Sequence, residues 1–476
     1  MKNLSSCSLT LFISFLLLFS SITQAQNWFP VGSGLDNNNN KIKALIEFNG
    51  KIIAGGDFFT IGGGNIVYRI AQWDGNTWQA MGAGFDNEVR ALAVFNNELY
   101  AAGTFSSSSD QNTALDARIA KWNGTVWEPV AGADINNTGI NDMLVWNNKL
   151  YITNNKWNGP TIKPVVTYYD GNTWTDLPGY FKGPENYCYL NKLDTFQNQL
   201  VVGGVFDSVA NLQSQRIAIW NNTNWVGLGL PVRGRQVFSN GITGLKGTCK
   251  SIIEYHGKLY AGGLFADYIQ GNDTINPNLV SFDGSNWTAH PWDINTGNSI
   301  NDMLIHNDSL ILAADGAFYN PNMFLTGGCI VFDTASTFPF IGTNFTNPNS
   351  PGLEVSACIR FNDKVHVGGK FSHAGTNQVN GIARMGAGNA LGENIISANK
   401  NFNVAPNPFN DHIQINTNKG EHLSSFNLTD AIGKTIKVIV MNENNVTVQC
   451  QDLLPGMYFL INSDSPDKSI KLVKNR

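Results

Sequence analysis

The chain is poor in charged residues and in cysteine. Lys, Arg, Asp and Glu make up 14% of its 476 residues, and the formal net charge is −5. Because no excess of basic side chains is available to neutralise phosphates, nucleic acid is not an expected partner. The six cysteines include no C-x-x-C pair, and we predict no metal site. No glycine-rich phosphate-binding loop opens a helix, so no cofactor is predicted.

Long hydrophobic runs are also missing, except at the N-terminus. Lys2 precedes an apolar run from Leu9 to Ile22, and Thr23-Gln24-Ala25 is typical of a signal-peptide cleavage site. The run is short for a membrane span, which needs about 20 residues. We therefore predict a signal peptide over residues 1–25 and a mature chain with no transmembrane segment.

Glycine (48 residues) and aromatic residues (11%) are abundant, and they recur in a unit of about 50 residues. Seven copies follow one pattern, and a representative copy contains the segments Glu88–Phe95, Glu98–Phe105, Arg118–Trp122 and Asn123–Trp127. Apolar residues alternate within the segments, and dipeptides such as Asn-Gly, Asn-Asn and Asp-Gly separate them. Such dipeptides are typical of two-residue hairpin turns. Each copy therefore predicts a sheet of four antiparallel strands.

The two ends of the array together make one copy. The seventh copy stops after Met385, and its missing last strand is found at the other end of the chain, where Trp28–Gly34 matches Trp78–Gly84. A split copy joins the ends of a ring, whereas an open array has no use for one. The sequence thus predicts an all-β fold, with a seven-bladed β-propeller over residues 26–388 that is closed by the N-terminal strand.

Three short motifs mark the copies, for example Gly203–Phe206, Ile119–Trp122 and Asp74–Trp78. In these motifs the array resembles kelch-type and related bacterial β-propellers. The resemblance implies an architecture and no particular activity, because this fold serves enzymes, lectins and scaffolds alike.

A different unit follows a small, polar linker at residues 389–400. Alternating runs such as His412–Ile415 predict a small C-terminal β-sandwich over residues 401–476. Four motifs occur in order within it, and their residues are Pro406, Asn407, Pro408, Gly433, Lys434, Gly456, Tyr458, Lys471 and Lys474. The unit resembles the C-terminal sorting domain of the type IX secretion system of Bacteroidetes. That resemblance implies that the secretion machinery is a partner and that the protein is secreted or attached to the outer cell surface.

No catalytic set survives alignment of the seven copies. Asp142 and Asp302 are the remaining catalytic candidates, because both lie in Ile-Asn-Asp-Met-Leu where a first strand begins and faces the predicted central channel. A structural role is the preferred interpretation of both. The recurrent Arg69, Arg118 and Arg216 are interpreted as donors of hydrogen bonds between blades.

The connections between blades, and those between second and third strands, are long and variable. They are expected on one face, and variable loops on a rigid scaffold tend to carry function. The aromatic candidates for ligand contact on this face are Trp157, Tyr180, Tyr268, Trp292 and Tyr319. Cys188 and Cys249 precede the first strands of neighbouring blades, and a disulfide between them is a further hypothesis.

Two classes of function remain open. The first is a non-enzymatic binding protein with a glycan or protein ligand. The second is a secreted polysaccharide hydrolase or lyase with its site at the channel mouth; a hydrolase there would need two carboxylates across a cleft. The sequence favours the first class.

Overall fold

The computed structural model describes residues 28–474, apart from 37–39, 116, 133–138, 159–160, 184–187, 231–234, 238–242, 246, 266–267, 271–272, 276, 291–292, 295–298, 320–324, 333–344, 348–351, 376, 387–401, 406–408, 418–424, 431–434, 442, 444, 454–455 and 463–468. Within these residues every regular element is a β-strand, so the predicted all-β class is confirmed. The same residues contain no helix that could cross a membrane. The chain divides into two compact units, one ending at Met385 and one beginning at Gly386.

The first unit consists of antiparallel sheets that follow one another along the chain, and we number them sheets 1 to 7. The strands up to the end of sheet 3 are β1 (Trp28–Pro30), β2 (Lys41–Phe48), β3 (Lys51–Asp57), β4 (Thr60–Ile61), β5 (Asn65–Ile66), β6 (Ile70–Trp73), β7 (Trp78–Ala80), β8 (Val89–Phe95), β9 (Glu98–Gly103), β10 (Ile119–Trp122), β11 (Trp127–Pro129), β12 (Met143–Trp146), β13 (Lys149–Asn158), β14 (Thr161–Tyr169) and β15 (Trp174–Asp176). Sheet 1 has the order β2-β3-β6-β7, sheet 2 has β8-β9-β10-β11 and sheet 3 has β12-β13-β14-β15. Strands β4 and β5 form a separate hairpin.

Sheets 4 and 5 repeat this four-stranded meander, with orders β17-β18-β21-β22 and β25-β26-β29-β30. Their strands and the small hairpins between them are β16 (Phe181–Lys182), β17 (Tyr189–Phe196), β18 (Gln199–Val205), β19 (Ser208–Val209), β20 (Leu212–Gln213), β21 (Ile217–Trp220), β22 (Trp225–Gly227), β23 (Arg235–Val237), β24 (Thr243–Leu245), β25 (Thr248–Tyr255), β26 (Lys258–Leu264), β27 (Tyr268–Gln270), β28 (Asp273–Ile275), β29 (Leu279–Phe282) and β30 (Trp287–His290).

Sheets 6 and 7 are joined by one pairing, Asp315 with Glu354. Their strands and the adjoining hairpin are β31 (Asp293–Ile294), β32 (Ile300–His306), β33 (Ser309–Tyr319), β34 (Leu325–Phe332), β35 (Phe345–Thr346), β36 (Glu354–Phe361), β37 (Lys364–Lys370), β38 (His373–Ala374), β39 (Asn377–Gln378) and β40 (Ile382–Met385). Sheet 6 contains β32, β33 and β34, with β31 also paired to β33. Sheet 7 has the order β36-β37-β40-β1, so its fourth strand comes from the start of the chain.

Contacts between the sheets follow their order in the chain. The first strand of each sheet contacts the first strand of the next, and β36 of sheet 7 also contacts β2 of sheet 1. Strand β1 pairs with β40 in a register that places Trp28 opposite Met385. The buried Trp28 ring packs against Phe345 at 5.1 Å between ring centroids. The two ends of the first unit are thus held in one sheet.

The glycine pairs of the second strands have a steric cause. A Cβ atom on the first glycine would lie 2.5 Å from a side chain of the following sheet, as Gly55 would from Val89 and Gly203 from Cys249. The corresponding Gly368 of sheet 7 would meet Ile42 of sheet 1 at 2.6 Å. Glycine therefore lets neighbouring sheets approach each other closely. Sheets 7 and 1 thus pack as closely as sheets that follow each other in the chain.

The recurrent arginines have partners within their own sheets, in contrast to the interpretation that they donate hydrogen bonds between blades. Arg69 forms an ion pair with Asp57, and Arg216 forms one with Asp207. Arg118 donates to the carbonyl of Thr104 at 3.0 Å. In each case the partner lies at the end of the second strand of the same sheet or just after it, because the third strand returns beside that point.

The second unit has two sheets around one apolar cluster. Its strands are β41 (Phe402–Ala405), β42 (His412–Thr417), β43 (Ser425–Asp430), β44 (Thr435–Val440), β45 (Asn445–Gln449), β46 (Gly456–Asn462) and β47 (Ser469–Lys474). The sheets have the orders β41-β42-β45 and β44-β43-β46-β47. The buried cluster includes Phe409, Phe426 and Tyr458.

Candidate ligand-binding site

A β-bulge occurs near the start of the first strand in six of the seven described sheets. The residue at each register shift is Lys43, Arg90, Asn191, Lys250, Asn301 or Ser356. Asn141 holds the matching position in sheet 3, just before β12. A bulge re-aims the side chain of its extra residue. The seven positions together present only polar side chains, and none of them is acidic.

The three asparagines of this set join neighbouring sheets. The Nδ2 group of Asn141 donates to the carbonyl of Leu190 at 2.9 Å, and that of Asn191 donates to Cys249 at 3.0 Å. Asn301 makes the same bond to Val355 at 3.0 Å. Each acceptor carbonyl precedes the bulge of the next sheet, where the strand ladder is interrupted. The amides therefore satisfy backbone groups that the bulge leaves unpaired.

The cations of the set are paired with carboxylates beside them. Arg90 Nε lies 2.8 Å from Glu88, and its Nη1 donates to Asn141 Oδ1 at 2.8 Å. The Lys250 ammonium donates to Ser299 Oγ at 2.6 Å and lies 3.5 Å from Asp315. These contacts hold both side chains in fixed positions at the strand starts.

Two lysines share one carboxylate. Lys43 lies 2.8 Å from Glu354, and Lys41 lies 3.5 Å from it. Burial alone would raise the pKa of Glu354, but the two ammonium charges and the Lys43 hydrogen bond outweigh burial and lower that pKa to about 2. Burial, followed by the adjacent Lys43 charge, lowers the pKa of Lys41. The group thus contains one more positive charge than negative.

A cavity of about 550 Å³ lies where these side chains meet, and we call it the strand-start cavity. It is lined by Lys41, Lys43, Glu88, Arg90, Asn141, Tyr189, Asn191, Val205, Thr248, Lys250, Asn301, Glu354 and Ser356. Of these described lining residues four are cationic and two are acidic, and we call Lys41, Lys43, Arg90 and Lys250 the cavity cations. Tyr189 is 43% exposed. The size falls in the usual range for small-ligand sites.

The structure brings the catalytic candidates Asp142 and Asp302 together around one lysine. The Lys192 ammonium lies 3.8 Å from Asp142 and 3.7 Å from Asp302. These residues belong to sheets 3, 4 and 6, and sheets 4 and 6 are not neighbours. Lys192 therefore contacts a sheet that does not adjoin its own in the order of the chain.

Each of the two aspartates also binds the backbone of the next sheet. Asp142 Oδ2 accepts the Leu193 N–H at 2.8 Å, and Asp302 Oδ2 accepts the Cys358 N–H at 2.9 Å. Burial raises the pKa of Asp142 despite the Lys192 charge. Burial also raises the pKa of the nearby Asp194, to about 6. The cluster combines partly buried carboxyl groups with one ammonium group.

The aromatic candidates are only partly described. Tyr180 is 38% exposed, and the Lys163 ammonium lies 5.1 Å from its ring centroid. Trp157, Tyr268 and Tyr319 lie in β13, β27 and β33, where the structure describes their backbone. Trp292 lies outside the described residues. An exposed ring that lines the cavity is that of Tyr189, which is not among the aromatic candidates predicted from the sequence.

The structure contains Cys188 and Cys249 as free thiols, in contrast to the hypothesis of a disulfide. Cys249 is fully buried and packs with the cluster between sheets 4 and 5. Cys188 packs against a different cluster, between sheets 3 and 4. The two side chains therefore face opposite sides of sheet 4. Burial raises the pKa of both thiols.

The sorting-motif residues lie in or beside the strands of the second unit. Gly456 begins β46, Tyr458 is buried in the core, and Lys471 and Lys474 lie in β47. Lys474 donates to the carbonyl of Asn410. Pro406, Asn407, Pro408, Gly433 and Lys434 lie outside the described residues.

Comparison with known proteins identifies the C-terminal part of the chain. Residues 403–475 match the family model described as secretion system C-terminal sorting domain. The chain therefore carries a type IX sorting domain, and the protein is exported to the cell surface or the extracellular space. A search of curated proteins finds no match to the chain.

Several solved structures are similar to the chain at low identity. PorZ, an essential surface component of the type IX secretion system of Porphyromonas gingivalis, is 14% identical with a TM-score of 0.43; the match covers 93% of this chain and 60% of PorZ. The polysaccharide lyase Uly1 is 9% identical with a TM-score of 0.37, covering 77% of this chain and 97% of Uly1. A PL25 ulvan lyase is 12% identical with a TM-score of 0.36, covering 76% and 94%. These likenesses define neither a ligand nor an activity for this chain.

Proposed function

We propose that the first unit is a seven-bladed, kelch-like β-propeller closed by the N-terminal strand, and that the second unit is a small β-sandwich. The pairing of β1 with β40 and the contact of β36 with β2 support closure of the ring. The packing of Gly368 against Ile42 repeats the contact made between other neighbouring sheets. The strand-start cavity then lies at the mouth of the central channel.

We further propose that the protein is a non-enzymatic binding protein, secreted or on the cell surface, with a glycan or protein ligand at this mouth. The observation that carries the proposal is that each carboxylate at the strand starts already has a partner. Glu88 and Glu354 pair with cavity cations, and Asp315 accepts from Ser299 Oγ at 2.9 Å. Asp142 and Asp302 bind backbone N–H groups of the next sheet. Such carboxylates hold the scaffold of a binding site together.

The position of Lys192 is the main argument against hydrolysis at Asp142 and Asp302. A glycosidase places its two carboxyl groups on either side of the scissile bond, and it keeps one of them protonated. Here an ammonium group contacts both carboxylates. It therefore occupies the space in which a substrate would have to lie.

A polysaccharide hydrolase or lyase remains the second candidate, because of one specific observation. The partly buried carboxyl groups of Asp142 and Asp194 have raised pKa values and lie near Lys192, and clusters of this kind are common in active sites. The pKa of Asp194, about 6, would suit a general acid near neutral pH.

A glycan and protein array, combined with an assay for release of reducing or unsaturated ends, tests the proposal. Binding without release supports a binding protein. Release that is lost in a folded Asp142→Asn or Asp302→Asn variant would establish the enzyme instead. Melting temperatures of both variants show whether loss of activity reflects unfolding.

A further inference from the structure

The strand-start cavity has an uneven distribution of charge. Its bulge positions include three cations and no carboxylate, and Lys41 adds a fourth cation. Both acidic residues that line it are already engaged, since Glu88 pairs with Arg90 and Glu354 pairs with two lysines. Asp315 pairs with Lys250 from outside the lining, so the four cations face three carboxylates and the net charge is positive. A positively charged cleft attracts a ligand of the opposite sign. The ligand of this cavity is therefore expected to be an anion.

The lysine pair gives the strongest reason for an anionic ligand. Lys41 and Lys43 are both partly buried beside the single carboxylate of Glu354. Burial and the Lys43 charge lower the pKa of Lys41. The nearby carboxylate of Glu354 therefore does not fully offset the cost of burying the positive charge of Lys41. A carboxylate or sulfate from a ligand would supply the missing negative charge. Charge-assisted hydrogen bonds of this kind are among the strong ones.

The remaining side chains of the cavity favour a sugar over a simple ion or an acidic peptide. The amides of Asn141 and Asn191 line the same cavity as the cations, and each uses one amide hydrogen for its bond to the next sheet. The hydroxyl group of Ser356 lines it as well, whereas the Asn301 amide is fully engaged with Lys250, Asp315 and Val355. Amide and hydroxyl groups both donate and accept hydrogen bonds, as sugar hydroxyl groups do. The exposed Tyr189 ring offers an apolar face at the edge of the cavity. A volume of about 550 Å³ is also larger than a single inorganic anion requires.

We propose that the strand-start cavity binds an acidic saccharide, whose carboxylate or sulfate group is held by the cavity cations while its hydroxyl groups bond to the amides of Asn141 and Asn191. This inference rests on the proposed binding function and names the class of its ligand. The acidic residues that pair with the cavity cations act as positioning residues.

The test uses the full mature chain and a panel of acidic polysaccharides, each paired with its own carboxyl-reduced or desulfated form. The panel contains polygalacturonate, alginate, glucuronoxylan and chondroitin sulfate, and poly-glutamate and inorganic phosphate serve as non-sugar anions. We expect at least one acidic member to bind about ten times more tightly than its neutral form. That binding should weaken as salt is raised, because salt screens exposed charges.

Variants assign the binding to the cavity. Lys250→Gln and Lys43→Gln should each weaken binding of the acidic saccharide about tenfold, whereas Lys250→Arg, which keeps the charge, should retain most of it. Lys258→Gln is the matched control, because Lys258 begins β26, just beyond the turn at the opposite end of β25 from Lys250. The control should bind like the wild type. Melting temperatures confirm that each variant is folded, and Lys250→Gln provides the test if Lys43→Gln unfolds.

Three results would overturn the inference and differ in what they mean for the proposed function. Equal binding of acidic and neutral forms leaves a glycan-binding protein but removes the charge recognition. Binding of poly-glutamate alone, with the same dependence on Lys250, leaves a protein-binding function. Failure of every saccharide to bind, together with release of sugar ends, removes both the inference and the binding proposal.

Discussion

At the scale of residues, Glu354 joins two lysines of the strand-start cavity. Among the described carboxylates, only that of Glu354 lies within 4 Å of the Lys41 and Lys43 ammonium groups. It also accepts the Ser356 hydroxyl at 2.7 Å. Its folded pKa of about 2 lies below the ordinary value of about 4.3. Its contribution to stability is therefore complete above about pH 4.3 and is lost as the pH falls towards 2.

We predict that Glu354→Gln lowers the free energy of unfolding by about 1–3 kcal/mol at pH 7, because it leaves two partly buried ammonium groups without their carboxylate. The difference from the wild type should shrink as the pH is lowered from 5 to 2. Urea unfolding followed by tryptophan fluorescence measures the first unit alone, because all 12 tryptophans precede residue 293.

The matched control for this prediction is Glu98→Gln. Glu98 pairs with Lys121 at 3.0 Å, but the Glu98 side chain is 43% exposed and that of Lys121 is 32% exposed. Its loss should cost less than about 1 kcal/mol. An equal cost for the two variants at pH 7 would contradict the special role of Glu354.

At the scale of elements, the first and second strands of each sheet are shaped by contacts with the next sheet. Alternation of apolar residues and the turn dipeptides was enough to predict these strands, since both signals are local. The bulges were not predicted, because one extra residue barely changes the alternation. A polar residue at the same place in all seven copies, from Lys43 to Ser356, was the signal that could have revealed them.

We predict that Gly203→Ala lowers the free energy of unfolding by about 1–3 kcal/mol, because its Cβ would lie 2.5 Å from Cys249 Sγ in the next sheet. The cost should be smaller in a Cys249→Ala background, where that sulfur is absent. A double-mutant cycle by urea unfolding measures the coupling between the two sites. Additive effects would mean that the sheets do not pack in this way.

At the scale of the whole molecule, both ends of the chain contain motifs that sequence comparison can detect. The split copy could be found from sequence because Trp28–Gly34 and Trp78–Gly84 share a pattern. The sorting domain could be found because its motifs occur in a fixed order, and the match over residues 403–475 confirms it. The hypothesis of a Cys188–Cys249 disulfide depended on which way two side chains point, and sequence position does not determine this.

We predict that Trp28→Ala lowers the free energy of unfolding of the first unit by about 3–5 kcal/mol, because the ring is fully buried between β40 and Phe345. Trp28→Phe should cost less, since it keeps most of the apolar area. Urea unfolding of both variants provides the measurement. A change below about 1 kcal/mol for Trp28→Ala would show that β1 does not hold the ends of this unit together.

The central claim is that a ligand binds at the strand starts, and hydrogen–deuterium exchange tests it most directly. The exchange of the wild-type protein would be measured with and without the tightest ligand from the array. We predict slower exchange, on ligand binding, over residues 41–44, 88–91, 248–251 and 354–357, which contain the cavity cations and their carboxylates. Protection confined to the outer strands of the sheets, with no change at these four segments, would contradict the account.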